Sequence, residues 1–314
     1  MKVSKITALS LLGAIVIVTG ACSQTARVSS EFKSATVQQL TSLINEKYIF
    51  PDIALKTSEE LERKLKSGAF DTIQTMKSFT RVLTQTVQSV NHDKHMRIRV
   101  NNGGVPQSGG PSRETGNGFR ESKMLESTIG YIDMRNFAPL QLASEVADEH
   151  MKKLESATAI IIDLRKNSGG NPDMVQYLCS YFFSERIHLN SLYFRDTNQT
   201  TEFWTVDVSG KKRPDVPLYI LTSSFTFSAA EEFCYNMQTR KRATLVGETT
   251  GGGANPGDLF PVNDQLSIFI PTGRAINPVT GINWEGTGVE PEVKVAAMDA
   301  LDKAIELAKQ SVRK

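Results

Sequence analysis

Residues 218–233, LYILTSSFTFSAAEEF, put Ser228 where an apolar strand gives way to the first turn of a helix. A helix start carries unpaired backbone N–H groups and roughly half a positive charge, so a hydroxyl held there loses its proton more easily as it attacks an acyl carbon. The same letters also fit a structural pattern, the S-x-x-E capping box, in which Ser228 and Glu231 each satisfy an orphan amide. Two other turns could complete a site. Asp163-Leu164-Arg165-Lys166-Asn167-Ser168-Gly169-Gly170 follows a buried strand, and its glycines let backbone amides approach a ligand closely. With the amide of Ala229, free in the first turn of the helix, Gly169 and Gly170 could form an oxyanion hole; they could equally just make the tight strand-to-helix turn. Glu285 lies in a third glycine-rich loop, Asn283-Trp284-Glu285-Gly286-Thr287-Gly288.

A serine nucleophile needs a base within hydrogen-bond reach, and usually an acid to orient that base. The chain offers four histidines. His150 falls in a charged helical pattern and His188 in a mixed segment, so both are expected to face solvent. His92 and His95 have an i, i+3 spacing that suggests a metal, yet no nearby Cys or third His completes a ligand set, and no metal or other cofactor is expected. His95 is the better candidate base, because it leads rigidly into the alternating strand Met96-Arg97-Ile98-Arg99-Val100.

Those side chains must be positioned by an α/β framework. From 30 to 90 the apolar residues recur at helical intervals, and Phe50-Pro51-Asp52 and Ser67-Gly68 divide the stretch into three helices, a helical N-terminal subdomain. The Gly/Ser/Pro-rich stretch 101–123 reads as an exposed hairpin or loop. Beyond it strands alternate with helices: 129–134 a strand, 142–154 a helix, 158–164 a fully apolar central strand, and a helix opening at Asn171-Pro172. A strand at 192–194, a basic loop at 210–217, the strand and helix around Ser228, strands at 243–247 and 265–271, and a helix at 299–310 complete residues 91–314 as an α/β core. In such sheets a site lies outside the carboxyl ends of the strands.

Of the 314 residues 39% are hydrophobic and 22% charged, and the net charge is +2. That balance is ordinary for a globular protein and supplies no basic field for nucleic acid. Lys2 and Lys5 precede an apolar run, Leu9 to Val18, too short to span a bilayer, so residues 1–22 read as an export signal. The run ends in Val18-Thr19-Gly20-Ala21-Cys22, which resembles a bacterial lipobox with Thr19 in a place that prefers an apolar residue. A lipidated Cys22 would tether the protein to a membrane face in the periplasm or cell envelope without a spanning helix. Residues 23–33 are polar and read as a tether. About 290 residues then remain, enough for a substantial core. Cys179 and Cys234, each in an apolar helix-like segment, are expected to be buried free thiols, although export permits a disulfide.

Four motifs in order, D-L-R-x-N-x-G-G at 163–170, T-S-S-x-T-x-S-A-A-E at 222–231, V-G-E-T-T-G-G at 246–252 and E-G-x-G-V-E-P-E at 285–292, resemble the tail-specific, or carboxyl-terminal-processing, serine peptidases. His-Asp-Lys-His at 92–95 resembles the branch related to interphotoreceptor retinoid-binding protein and the tricorn core protease. The resemblance implies a crotonase-like α/β peptidase core preceded by a helical subdomain, a peptide or protein substrate, and no cofactor. It implies Ser228 as nucleophile, with Gly169, Gly170 and Ala229 as the oxyanion hole. The better-known processing enzymes use a lysine base, and the matching position here is Gly253. In the tricorn-like branch the base is a histidine oriented by a glutamate, which predicts a Ser228–His95–Glu285 triad. The family's usual PDZ module has no counterpart in 101–123. Two other readings of the same fold stand beside a peptidase: a non-catalytic binding protein for a peptide or apolar ligand, and an esterase.

Overall fold

The computed structural model describes residues 27–101 and 116–312. Residues 1–22, read above as an export signal with Cys22 at its end, and most of the 101–123 stretch lie outside the described residues.

Three helices open the chain: α1 (Ser30–Lys47), α2 (Pro51–Lys66) and α3 (Met76–Asn91). Each start has a local cause. Ser29 Oγ accepts the N–H of Phe32 at 3.2 Å, Pro51 occupies the first turn of α2, and Thr75 Oγ1 accepts the N–H of Ser78 at 3.2 Å. The expected tether is therefore shorter than 23–33. Helix α1 already runs through Lys33, which is buried and donates through Nζ to the carbonyls of Phe70 and Asp71 at 2.9 and 3.1 Å. Those two bonds compensate the burial of an ammonium that sequence reading assigns to water. Helix α3 stops at His92, whose left-handed backbone (φ 56°) turns the chain so that Asp93 and His95 point inward ahead of β1 (Ile98–Val100).

The remainder alternates as β2 (Phe119–Leu125), β3 (Ile129–Met134), α4 (Leu140–Lys153), β4 (Ala159–Asp163), α5 (Pro172–Ser180), β5 (His188–Phe194), β6 (Gln199–Trp204), β7 (Leu218–Thr222), α6 (Ala229–Thr239), β8 (Thr244–Gly247), β9 (Gly257–Pro261), β10 (Leu266–Pro271), β11 (Gly273–Ile276), β12 (Val293–Lys294) and α7 (Ala300–Val312). A six-stranded sheet in the order β12-β8-β7-β4-β3-β2 forms the centre, parallel except for β2. Its central strands β3, β4, β7 and β8 are buried and largely apolar because both faces are covered. Ile132, Ile160, Ile162 and Ile220 face α4, α5 and α6, while Ile129, Ile161, Leu221 and Val246 face α7. Ala300, Ala304 and Ala308 make the buried stripe of α7, small enough to let the helix lie close on the sheet.

Two small antiparallel sheets flank it, β1-β10-β9 and β11-β5-β6. The first shares its core with the N-terminal helices through Met96, Ile98, Leu266, Ile268 and Ile270. Cys179 and Cys234 are free and buried in the α5 and α6 layer. The stretch expected as a loop to 123 ends earlier, since β2 begins at Phe119 and pairs with β3. It is an edge strand whose exposed charges, Arg120, Glu121 and Lys123, made it look like loop. The short strands β6, β9, β11 and β12 were not expected from the sequence.

Candidate active site

The carboxyl ends of β4, β7 and β8 lie side by side, and the loops leaving them meet. The turn after β7 is tied to the turn after β4 by side chains of both motifs. Thr226 Oγ1 donates to the Leu164 carbonyl at 2.8 Å and Ser223 Oγ to that of Arg165 at 2.6 Å, while the N–H of Phe227 donates to the Asn167 carbonyl at 3.1 Å. Asn167, fully buried, anchors the other side by donating from Nδ2 to the Met134 carbonyl at 3.1 Å. With the turn fixed at both ends, Ser228 is held at φ 56° and ψ −126°, a costly conformation for a residue with a side chain. Such strain persists only where the surroundings over-determine it, and it lifts Ser228 out of the strand at the head of α6.

Gly169 and Gly170, at φ 107° and 142°, bring the β4 loop against this turn. A Cβ on Gly169 would stand 2.7 Å from Ser228 Cβ and 3.0 Å from the Ala229 nitrogen; one on Gly170 would stand 2.1 Å from the Phe137 oxygen. No side chain fits at either position. The three predicted oxyanion residues are thus together, and their amides differ. Gly169's N–H is taken by Asn167 Oδ1 at 2.9 Å, whereas those of Gly170 and Ala229 have no acceptor among the described residues.

His95 reaches the same place from the other sheet. Its ring lies 4.5 Å, centroid to centroid, from that of Phe227, the neighbour of Ser228, and 5.6 Å from that of Phe269 on β10. Gly253, where a lysine base would be sought, faces this pair. A Cβ there would sit 2.1 Å from Phe227 Cζ and 2.7 Å from His95 Cε1, so two rings occupy the volume a longer residue would need.

Glu285 completes the group. Its Oε2 accepts the N–H of Ala254 at 2.6 Å and of Asn255 at 3.2 Å, and buried Trp284 fixes the loop by donating from Nε1 to the Gly253 carbonyl at 2.9 Å. The other oxygen, Oε1, is buried without a hydrogen-bond partner, as is His95 Nδ1. A second carboxylate is present that sequence reasoning missed. Donor atoms of Asp93, His95 and Glu285 all lie within 4.8 Å of one another. Burial, and then the charge of Asp93, push the Glu285 carboxyl up to about 8 against the two amide hydrogen bonds that favour its ionised form. One imidazole nitrogen thus stands among carboxylate oxygens of which all but Glu285 Oε1 already accept from protein donors.

Glu231 was legible only as a cap. The structure gives it more: Oε2 accepts the N–H of Ser228 at 2.9 Å and of Gly253 at 2.8 Å, and Oε1 accepts the N–H of Gly252 at 2.6 Å and the hydroxyl of Thr250 at 2.5 Å. One buried carboxylate thereby fixes both the serine turn and the loop behind His95. The other histidines stand apart. His92 is exposed, so the His92/His95 spacing does not make a pair. His150 and His188, expected to face solvent, are instead half-buried, stacked on Phe119 at 4.7 Å and on Trp204 at 4.6 Å. The aromatic partners come from strands β2 and β6, which the sequence reading did not include.

The buried carboxylates make stability depend on pH. Burial raises Glu231, carries Glu232 to about 7 and Glu285 to about 8. Glu232 and Glu285 therefore hold their protons in the folded protein at pH values where the unfolded chain has released them. The contribution of these two is complete below the unfolded value of about 4.5 and is lost as pH rises towards about 7 for Glu232 and about 8 for Glu285, at up to about 1.4 kcal/mol per pH unit for each proton. Thermal unfolding at pH 5.5 and 8.0 should give the higher Tm at 5.5, and Glu232→Gln should flatten the difference; an equal slope in that variant contradicts the assignment.

A family model described as Peptidase family S41 matches residues 128–295, and one described as the N-terminal domain of Peptidase_S41 in eukaryotic IRBP matches residues 27–127. The chain is similar to the chloroplastic carboxyl-terminal-processing peptidase 2 of Arabidopsis thaliana, 27% identical over 167 residues, which is 52% of this chain and 31% of that protein. It is also similar to a carboxyl-terminal-processing protease of Synechocystis sp., 28% identical over 151 residues, 48% of this chain and 34% of that one. The matched stretch spans about a third of the length of these relatives. Among solved structures, the tricorn protease shares the fold with a TM-score of 0.61 at 14% identity, over 90% of this chain and 37% of that one.

Proposed function

The chain belongs to peptidase family S41, and from that premise we propose that it is a serine peptidase acting through Ser228, His95 and Glu285. His95 takes the hydroxyl proton as Ser228 Oγ bonds to the scissile carbonyl carbon. The carbonyl oxygen becomes an oxyanion, met by the free amides of Gly170 and Ala229, while Gly169 supplies the clearance that lets them converge. The imidazolium returns its proton to the leaving amine as the C–N bond breaks. Water, deprotonated by the same imidazole, then releases the acyl group and restores the serine. Glu285 orients the base and needs no bond to substrate.

The observation that carries this reading is Gly253. The space a lysine base would fill is occupied by Phe227 and His95, the latter with one ring nitrogen near two carboxylates. We further propose that the mature protein is exported and held at a cell-envelope membrane by lipid on Cys22; the apolar run and the lipobox-like sequence ending at that residue support this. Digestion of a peptide library, run beside a nitrophenyl ester and a fatty-acid fluorescence titration, tests the function. Peptide products identified by mass spectrometry support it. Ester turnover alone would make the protein an esterase, and saturable fatty-acid binding without any hydrolysis would make it a carrier.

A further inference from the structure

Asp93 is 1% exposed, and every contact of its carboxylate serves to hold it in place beside the base. Oδ1 accepts the backbone N–H of His95 at 3.0 Å and lies 3.6 Å from His95 Nδ1. Oδ2 accepts from Asn255 Nδ2 at 3.1 Å and from the Tyr48 hydroxyl at 3.4 Å. Tyr48, itself buried, caps the end of α1, so this hydroxyl comes from the N-terminal helical region. The backbone N–H of Asp93 is fixed in turn by Asn91 Oδ1 at 3.0 Å. Three donors hold the Asp93 carboxylate, whereas Glu285 has donors on a single oxygen and leaves Oε1 bare. The two carboxylates thus stand beside one imidazole nitrogen.

We propose that Asp93 is a positioning residue of this centre: with Glu285 it forms a two-carboxylate holder for His95, fixed from the helical region by Tyr48. This rests on the reading of His95 as the base of a serine peptidase. In the reaction the charge of Asp93 faces the imidazolium formed when Ser228 loses its proton, and Glu285 limits the ring's rotation. The groups facing Glu285 are Asp93 and His95 from the segment before β1, Tyr48 from the end of α1 and Glu231 from α6. Because the charge of Asp93 is one cause holding Glu285 protonated, removing it should let Glu285 ionise at lower pH.

The test is the rate of labelling of the full protein by a fluorophosphonate, separated into reagent affinity and the first-order acylation constant, from pH 6 to 9. Asp93→Asn, which keeps size, should lower the acylation constant about 10- to 100-fold with affinity unchanged, and move the limb near pH 8 downward. Tyr48→Phe should give a smaller loss of the same kind, and the double variant less than the product of the two losses. A purely structural role would instead reduce the fraction of protein that labels, leaving the rate of the labelled fraction and its pH limb alone. Rates within twofold of the parent and an unmoved limb in Asp93→Asn, with Glu285→Gln impaired, overturn the proposal while leaving the peptidase reading intact. If the parent protein does not label at Ser228, or His95→Ala labels as fast as the parent, the peptidase reading falls and this inference with it.

Discussion

Replacing His95 by alanine should lower kcat for peptide hydrolysis by about four to six orders of magnitude, because in a serine–histidine unit the loss of either partner removes nearly the whole of the covalent route. KM should change little, since the imidazole contributes to the transition state rather than to substrate binding. The loss of the ring from between Phe227 and Phe269 leaves a small void, costing on the order of 1 to 3 kcal/mol. The variant therefore folds, and a circular dichroism melt separates inactivity from collapse. The corresponding exposed substitution, His92→Ala, should lower kcat far less than His95→Ala, because its side chain faces solvent and alanine meets the φ 56° turn with the same Cβ. Equal losses in the two variants would mean that the motif acts as a structural whole and that His95 has no special place in it.

The second large effect is at Gly253. Lysine there is the change that would turn the loop towards the serine–lysine pattern, and it should fail on steric grounds. Even its Cβ would come within 2.1 Å of Phe227 Cζ and 2.7 Å of His95 Cε1. Overpacking of that kind costs about 1 to 3 kcal/mol or forces the rings aside. Displacing His95 by an ångström costs on the order of a hundredfold in rate. Gly253→Ala should already show both losses in kcat and Tm measurements, and Gly253→Lys should not restore activity to His95→Ala. Combining Gly253→Ala with Phe227→Ala should recover part of the Tm by removing the closer clash, without recovering the rate, since His95 then loses the ring it rests on. Full activity in Gly253→Ala would show that His95 does not occupy this position when the enzyme works.

The elements of the central sheet were legible because periodicity and burial agree there. Ala159–Asp163 is apolar on both faces since helices cover both, and the three N-terminal helices announced themselves through Val37, Leu40, Leu61, Phe79 and Leu83. The β2 edge strand was hidden by its charges, and four strands of two to six residues were too short for any period to register. At the site, the residue types of the three motif turns pointed to Ser228, the glycines and Glu285 before any coordinates. What stayed hidden was partnership across long separations. Tyr48 to Asp93, Asp93 to Asn255 and Glu231 to Thr250 span 45, 162 and 19 residues, and nothing in local spacing marks such pairs. In the sequence Asp93 is marked only by standing between two histidines. Only the left-handed turn at His92 shows that it points inward while His92 points out.

The most direct measurement of the central claim is mass spectrometry of the protein after reaction with a fluorophosphonate, locating the adduct by peptide mapping. The account predicts a single adduct on Ser228, lost in His95→Ala at the same reagent concentration and time. A well-folded protein that carries no adduct, or carries it on another serine, would contradict the assignment of Ser228 as the nucleophile.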